Sequence, residues 1–464
     1  MQPQKSKGKF EFISNLKAYF DKVSFISGNW VWIVLIPLAI IASTDQGLYL
    51  ALLEQIQKDM GGYFTTGIAE SAYIISTAIF TIFFGYLSDK VDRKWLLFIG
   101  SFIGGIFYFF TAFTFSFALL VFIRIVAGIG IGSIMPIAFS MLSDSISTGS
   151  RSKAFSFWGI ASFLGNGAGA LIGGGAIFSG SVSLPWQWHL PFIYVGITGL
   201  LLGLLPLFTK EPKRGAKEDQ LKSLLSNETL KYSYRIKLRD LKNIYKRKSN
   251  FWLVVNFVDT IAPGLLVAYI LPYFINYMTV DVILAVVLII VLAGLVVGNF
   301  GLAFLADYLY KKNKTWRAKV AIICAILELP FLASALFLLP YYGINIVLSL
   351  MIGILLAIGL TFTFGIGPNW YGTLIDVNLP ENRGTMIATA TFLDQIGRAI
   401  GTMVGGYLAA TFSLLVAIQS STFFMLLSIF PWIPVLFYIK HDLNEIDSIL
   451  TDRAKELENE INKS

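Results

Sequence analysis

The chain has 464 residues, of which 56% are hydrophobic and 14% charged, with a mean hydropathy of +0.70. A soluble domain carries about 25% charged residues, so this composition excludes an ordinary soluble fold and points to a membrane protein. A single cysteine, Cys324, excludes an intrachain disulfide and a cysteine metal cluster, and the two histidines, His189 and His441, stand at segment edges, which excludes a histidine proton relay deep in the membrane.

Residues 1–28 are polar and mildly basic and read as a cytoplasmic N-terminal segment. The apolar run behind them is too long for a signal-peptide core, so it reads as a retained first span. A span needs about 20 apolar residues. Twelve such stretches follow, near residues 29–53, 66–87, 94–115, 118–142, 152–178, 190–208, 250–275, 282–306, 318–339, 344–368, 384–411 and 419–439. The connections at 115–117 and 340–343 are short enough for helical hairpins. Of the 36 Lys and Arg, only Lys58 falls in a loop on the outer side, and Arg124 and Arg398 fall inside spans, leaving 33 on the inner side. That bias predicts a multi-pass protein of the cell membrane with both termini cytoplasmic. Trp30 and Trp32 at one face, and Trp186 and Trp188 at the other, fit interfacial belts.

An ionisable side chain is costly where it faces lipid, so each one inside a span marks the bundle interior. Asp45 lies eight residues before the outer end of span one, and Arg124 about seven from the outer start of span four. Both therefore sit ~10–12 Å below the outer surface at the helical rise per residue. Glu70 of span two is a second carboxylate near that layer, either part of it or solvated and passive. Between spans two and three, the ten residues 85–94 hold five charged ones and read as a tight hairpin. Its Asp89 and Arg93 can bind the ends of neighbouring helices. Gly165, Gly169 and Gly173 lie four apart, as do Gly397, Gly401 and Gly405. This small-xxx-small pattern predicts close helix contacts at an interface between halves.

The loop 209–249 carries 13 Lys and Arg against 5 Asp and Glu, a net +8 that equals the charge of the whole chain. Leu221, Leu224 and Leu225, then Ile236, Leu238, Leu241 and Ile244, suggest short amphipathic helices on the inner membrane surface. Anionic lipid is the partner implied there, at ~1 kcal/mol per basic residue. Positive-inside topology accounts for the basic run without nucleic acid. In the second half, Asp394 and Arg398 are four apart, so they can pair locally; alternatively Arg398 reaches an anionic substrate group or Asp259. The pattern assigns no role to Glu328, just before Pro330. Residues 441–464 read as a cytoplasmic tail with Leu443, Ile446, Leu450, Leu457 and Ile461 at near-helical spacing.

The basic loop divides the chain into six spans at 29–208 and six at 250–440, and the halves repeat each other. Asp144, Arg151, Gly165, Gly169, Gly173 and Gly174 recur 232 residues later as Asp376, Arg383, Gly397, Gly401, Gly405 and Gly406. Pro136, a kink in span four, likewise returns as Pro368. Leu87-Ser88-Asp89 returns as Leu305-Ala306-Asp307, followed by Lys311, Lys312 and Lys314, with Ala303 in place of Gly85. Two parallel six-span repeats are a transporter architecture.

The hairpin resembles the signature loop of the major facilitator superfamily, G-x-L-(S/A)-D-(K/R)-x-G-R-(R/K). The match covers Gly85, Leu87, Ser88, Asp89, Lys90, Arg93 and Lys94, and departs at Asp92, where the family has Gly. The stretches 380–385 and 210–215 are similar to segments of its spinster-like and sugar-porter-like branches. The resemblance implies an all-α membrane protein of twelve transmembrane helices in two pseudo-symmetric six-helix bundles, with spans one, four, seven and ten around a central cavity. Asp45 and Arg124 could then pair and couple transport to protons, or form a fixed tie between helices. Tyr49, Asn256, Tyr269, Asn369 and Trp370 would line the cavity, with Asp259, Asp394 and Arg398 as its second-half charged candidates. Gly85, Asp89, Arg93, Asp144, Arg151, Asp307, Asp376 and Arg383 would form a cytoplasmic gate, Arg93 pairing with Asp144.

The function so implied is secondary active transport of a small organic solute by alternating access, proton-coupled, in a monomer with no cofactor and no metal. Uniport, sodium coupling and a non-transporting receptor or scaffold are the alternatives. No phosphate-cradling glycine loop precedes a Lys-Ser or Lys-Thr pair, which excludes an ATP-driven pump. No nucleophile–base set or metal-ligand set falls within the spans, so an enzyme is not expected.

Overall fold

A computed structural model describes residues 26, 28–60, 63–178, 185–219, 221, 247–277 and 282–461. Among these, nine helical segments are long and apolar enough to cross a membrane. Three further spans escape that count for visible reasons. Span two, Tyr63–Ser88, offers only the stretch Ala72–Ser88. Span seven is broken into Lys248–Val255, a 3-10 turn Asn256–Thr260, and Ile261–Tyr277. Span eleven, Arg383–Thr411, carries Arg383, Asp394 and Arg398. With them the fold has twelve transmembrane helices. A helix is the natural answer to such sequences, because in lipid every backbone N–H and C=O must be bonded within its own segment. Large apolar side chains point outward along these helices, Leu171 with 77% and Phe437 with 76% of its surface exposed.

Several boundaries differ from the hydropathy reading. Span four pauses at Ser133 between Phe117–Gly132 and Ile134–Ser145, just ahead of Pro136. Span eight contains a π-helical turn, Val297–Leu302. Span ten runs through Pro368 to Asp376 as one helix, Ile346–Asp376. Span twelve, Leu414–Ile461, continues past Pro431 and Pro434, so the tail is its extension. The tail buries Leu443, Ile446, Leu450 and Leu457. Its Asp442 accepts from the Ser249 N–H at 2.9 Å and hydroxyl at 2.6 Å, its Asp447 pairs with Lys314 at 2.7 Å, and its Arg453 pairs with Glu381 at 2.8 Å. The extension therefore ties together the ends of spans seven, nine and eleven. The stretch from Leu224 to Ile244, expected to be amphipathic, lies outside the described residues, as does most of the N-terminal segment.

The described chain forms two compact units. One holds residues up to Ile146 and 161–217; the other holds 147–160 and the chain from Glu218 on. The first has a core of Leu48, Leu52, Ile56, Leu120 and Phe192. The second has one of Leu332, Leu336, Ile352, Leu356 and Met425. The glycine patterns serve contacts inside each unit. A Cβ on Gly169 of span five would fall 2.0 Å from the Thr44 carbonyl of span one, and one on Gly401 of span eleven 2.1 Å from the Ile261 carbonyl of span seven. Backbone-to-backbone approach of this kind admits only glycine.

Candidate functional site

Arg124 lies on span four, seven residues after its start at Phe117, and is fully buried. Its Nη1 donates a hydrogen bond to Oδ2 of Asp45 on span one, which is also fully buried. Its Nη2 faces Oε2 of Glu70 on span two at 3.5 Å. The local sequence brings these helices together. Gly128, four residues beyond Arg124, is where span four meets the Tyr73 carbonyl of span two, 2.6 Å from an added Cβ. Nearby, the Ser76 hydroxyl donates to the Ile125 carbonyl at 2.8 Å.

The walls of this site are aromatic. The guanidinium carbon sits 3.8 Å from the Tyr49 ring centre, 5.3 Å from Tyr73 and 5.9 Å from Phe192. The hydroxyls of Tyr73 and Tyr108 bond at 2.9 Å, and Tyr108 donates onward to the Ala42 carbonyl at 3.3 Å. The site is buried, so charge–charge attraction is stronger there than in bulk solvent. Yet Asp45 Oδ1, both Glu70 oxygens, and Arg124 Nε and Nη2 find no hydrogen-bond partner among the described residues. The solvated reading of Glu70 is corrected: the residue is 9% exposed and belongs to the layer.

The second-half candidates are arranged differently. Asp259 lies on the 3-10 turn that breaks span seven. Arg398 Nε contacts Asp394 Oδ2 of its own helix at 3.3 Å, with its side chain 56% exposed. The Thr260 hydroxyl donates to the Asp394 carbonyl at 2.8 Å and joins the break to span eleven. Glu328 is buried on span nine, and its Oε2 finds no hydrogen-bond partner among the described residues. Among the expected lining residues, Tyr49 is buried under Arg124. Trp370 donates to the Leu253 carbonyl at 2.9 Å, Asn369 donates to the Gly365 carbonyl at 2.8 Å, Asn256 is buried on the 3-10 turn, and Tyr269 packs against the second core.

Each unit also has a charged end. In the first, Arg93 donates to Asp144 Oδ2 at 2.6 Å, Ser140 Oγ at 3.0 Å, Glu211 Oε1 at 3.1 Å and the Pro212 carbonyl at 2.7 Å. Asp144 accepts from the Gly215 N–H at 3.0 Å, and Arg214 faces Asp89 at 3.6 Å and donates to the Ser88 carbonyl. Gly85 is buried, and its carbonyl accepts from the Ser88 hydroxyl at 2.7 Å. In the second unit, Arg317 bonds Asp307 at 2.7 Å and also reaches Asp376. Asp376 accepts from Arg151 at 2.9 Å, while Glu218 Oε1 takes Arg151 and Arg383 at 2.5 Å each. Asp307 also accepts from the Ser152 and Lys153 N–H groups at 3.4 and 3.0 Å, at the start of span five. Sequence reasoning missed Arg317, Glu211, Arg214 and Glu218.

Glu218 carries a pH signature. Burial works to raise its carboxyl, but the Arg151 and Arg383 guanidinium groups overcome this and hold it at about 2. A carboxylate so depressed stabilises the fold fully above its unfolded value near 4.5, and the contribution disappears as pH falls toward 2. The gap in melting temperature between the wild type and Glu218→Gln is therefore expected to be largest above pH ~4.5, worth about 3 kcal/mol, and to close on acidification. Thermal denaturation of the purified protein across that range checks it. A gap that does not change with pH would contradict the pairing.

Known proteins resemble the chain over this whole arrangement. A family model described as Major Facilitator Superfamily matches residues 35–402. The protein spinster of Drosophila melanogaster is 25% identical over 384 residues, covering 80% of this chain and 59% of that protein. The sphingosine-1-phosphate transporter SPNS2 of Mus musculus is 30% identical over 200 residues, covering 41% of this chain and 33% of that one. The chain thus spans less than two thirds of the length of these relatives. Among solved structures, the fucose:proton symporter FucP of E. coli superposes with a TM-score of 0.64 at 16% identity, covering 89% of this chain and 98% of that one.

Proposed function

The chain belongs to the major facilitator superfamily, and from that premise we propose that it is a secondary active transporter working by alternating access and driven by protons through Asp45 and Arg124. The observation that carries this reading is the buried ion pair between spans one and four, walled by Tyr49, Tyr73 and Phe192. A buried carboxylate stays ionised only while its cation is in place. Protonation of Asp45 and release of Arg124 are then two faces of one event. If the helices that hold them shift during the cycle, proton binding and helix movement become linked.

The substrate is a small organic solute. Aromatic walls favour one with an apolar portion, and the sphingosine-1-phosphate transporter among the relatives supports an amphipathic molecule. In this reading the charged end of each unit faces the cytoplasm, which the 33 basic residues assigned to the inner side support, and Gly85, Asp89, Arg93, Asp144, Arg151, Asp307, Asp376 and Arg383 are the gate residues. The basic loop lies on anionic lipid, and the monomer is the working unit in the cell membrane.

The test has two stages. A thermal-shift screen of sugars, organic anions, lysolipids and cationic drugs identifies a stabilising ligand. Flux of that ligand into proteoliposomes is then expected to depend on a pH gradient in the wild type and to lose that dependence in Asp45→Asn. Unchanged gradient dependence in the variant would remove proton coupling from Asp45.

A further inference from the structure

Glu70 has no task in that scheme, yet its place is specific. It sits on span two, buried, its carboxylate oxygens hydrogen-bonded to none of the described residues, and it faces Arg124 Nη2 at 3.5 Å. That separation is longer than a hydrogen bond and short enough to become one after a small movement of the guanidinium. On the other side of the same guanidinium, Nη1 is bonded to Asp45. We propose that Glu70 is the second acceptor for Arg124: when Asp45 takes up a proton, the guanidinium passes to Glu70, and it returns when the proton leaves. The proposal rests on the coupling role of Asp45 and Arg124.

Charge counting supports it. With both carboxylates ionised, the group of Asp45, Glu70 and Arg124 has a net charge of −1; with one proton on Asp45 it is neutral. Protonation therefore never leaves the guanidinium alone in an apolar site, a state that is strongly disfavoured. Without Glu70, protonating Asp45 would create that state, and Asp45 would resist the proton. Glu70 acts through Arg124 and is a positioning residue. The proton itself comes from the aqueous phase to an Asp45 oxygen and goes back from there; Arg124 keeps all of its own protons.

The surroundings allow the exchange. Arg124 lies over the Tyr49 ring at 3.8 Å, a face along which the planar group can slide. Arg124 Nε makes no hydrogen bond that would fix it. Spans two and four meet closely at Gly128 and Ser76, which keeps Glu70 beside the guanidinium. Among the described residues, the other titratable groups around the site are Tyr49 on span one, Tyr73 on span two and Tyr108 on span three. Span six contributes the apolar Phe192.

The test needs no substrate. The full chain is reconstituted in lipid, and the protonated-carboxyl stretch is followed by infrared spectroscopy as pH is varied. The part of the signal that disappears in Asp45→Asn belongs to Asp45. In Glu70→Gln that part is expected to titrate about one pH unit more acidic, a roughly tenfold weaker hold on the proton, and Glu70→Asp should restore most of it. An Asp45 signal with the same midpoint in wild type and Glu70→Gln overturns the role of Glu70 and leaves proton coupling through Asp45 standing. A wild type in which no signal is lost on Asp45→Asn overturns both.

Discussion

Arg124→Gln is expected to abolish pH-driven flux and to lower stability by about 3–5 kcal/mol, the cost of removing one partner from a buried ion pair. Arg124 is fully buried, and so is Asp45. The substitution leaves two carboxylates, Asp45 and Glu70, facing each other in a buried site. A glutamine amide can donate to one of them, but it brings no charge and no cation for the Tyr49 ring. Asp45→Asn is expected to cost less, since the guanidinium keeps Glu70 within 3.5 Å. The order of the two effects is therefore informative. Melting curves of the purified variants read the stability, and proteoliposome flux with the ligand found by screening reads the transport. An Arg124→Gln variant that melts with the wild type would mean that these carboxylates are already neutral in the folded protein.

The elements of this site were not equally legible in the sequence. Asp45 and Arg124 stood out because a charge inside a span is rare and because the two fell at one depth. Glu70 fell at a similar depth, but depth does not tell which way a helix face turns. Span two had to be packed against span four, through Gly128 and the Ser76 bond, before Glu70 had a partner. The twelve spans were legible from the run of apolar stretches along the chain, though not their boundaries. The break in span seven at Asn256–Thr260 and the passage of span ten through Pro368 were not, because both depend on neighbouring helices that replace lost backbone bonds. Glu211 and Glu218 were hidden by averaging. Within a loop of net charge +8 they looked like minor corrections, whereas each is the counterion of a buried arginine.

The repeat was legible only where its spacing holds. Asp144 and Asp376 are related by the 232-residue offset, but their arginine partners are not. Arg93 follows Asp89 by four residues, and Arg317 follows Asp307 by ten. The longer connection, with Lys311, Lys312 and Lys314, displaced the second arginine from any simple alignment. In the folded chain the two pairs are the same device, Arg93 on Asp144 in one unit and Arg317 on Asp376 in the other. The second is the more heavily used, and it is the one to remove.

Arg317→Ala is expected to cost about 3–5 kcal/mol in unfolding, as for other buried pairs broken on one side. The planar group serves three acceptors at once: Asp307, Asp376 and the Thr148 carbonyl. It also lies 3.9 Å from the Tyr310 ring centre. Two features keep the loss from being larger. Asp376 retains Arg151 at 2.9 Å, and Asp307 retains the Ser152 and Lys153 N–H groups. Arg317→Lys separates charge from geometry. An ammonium restores one positive charge but cannot span two carboxylates and a carbonyl as a guanidinium fork does. It is expected to recover less than half of the loss in melting experiments on the purified protein. Full recovery by lysine would show that net charge, rather than the three-way fork, holds this end of the second unit together.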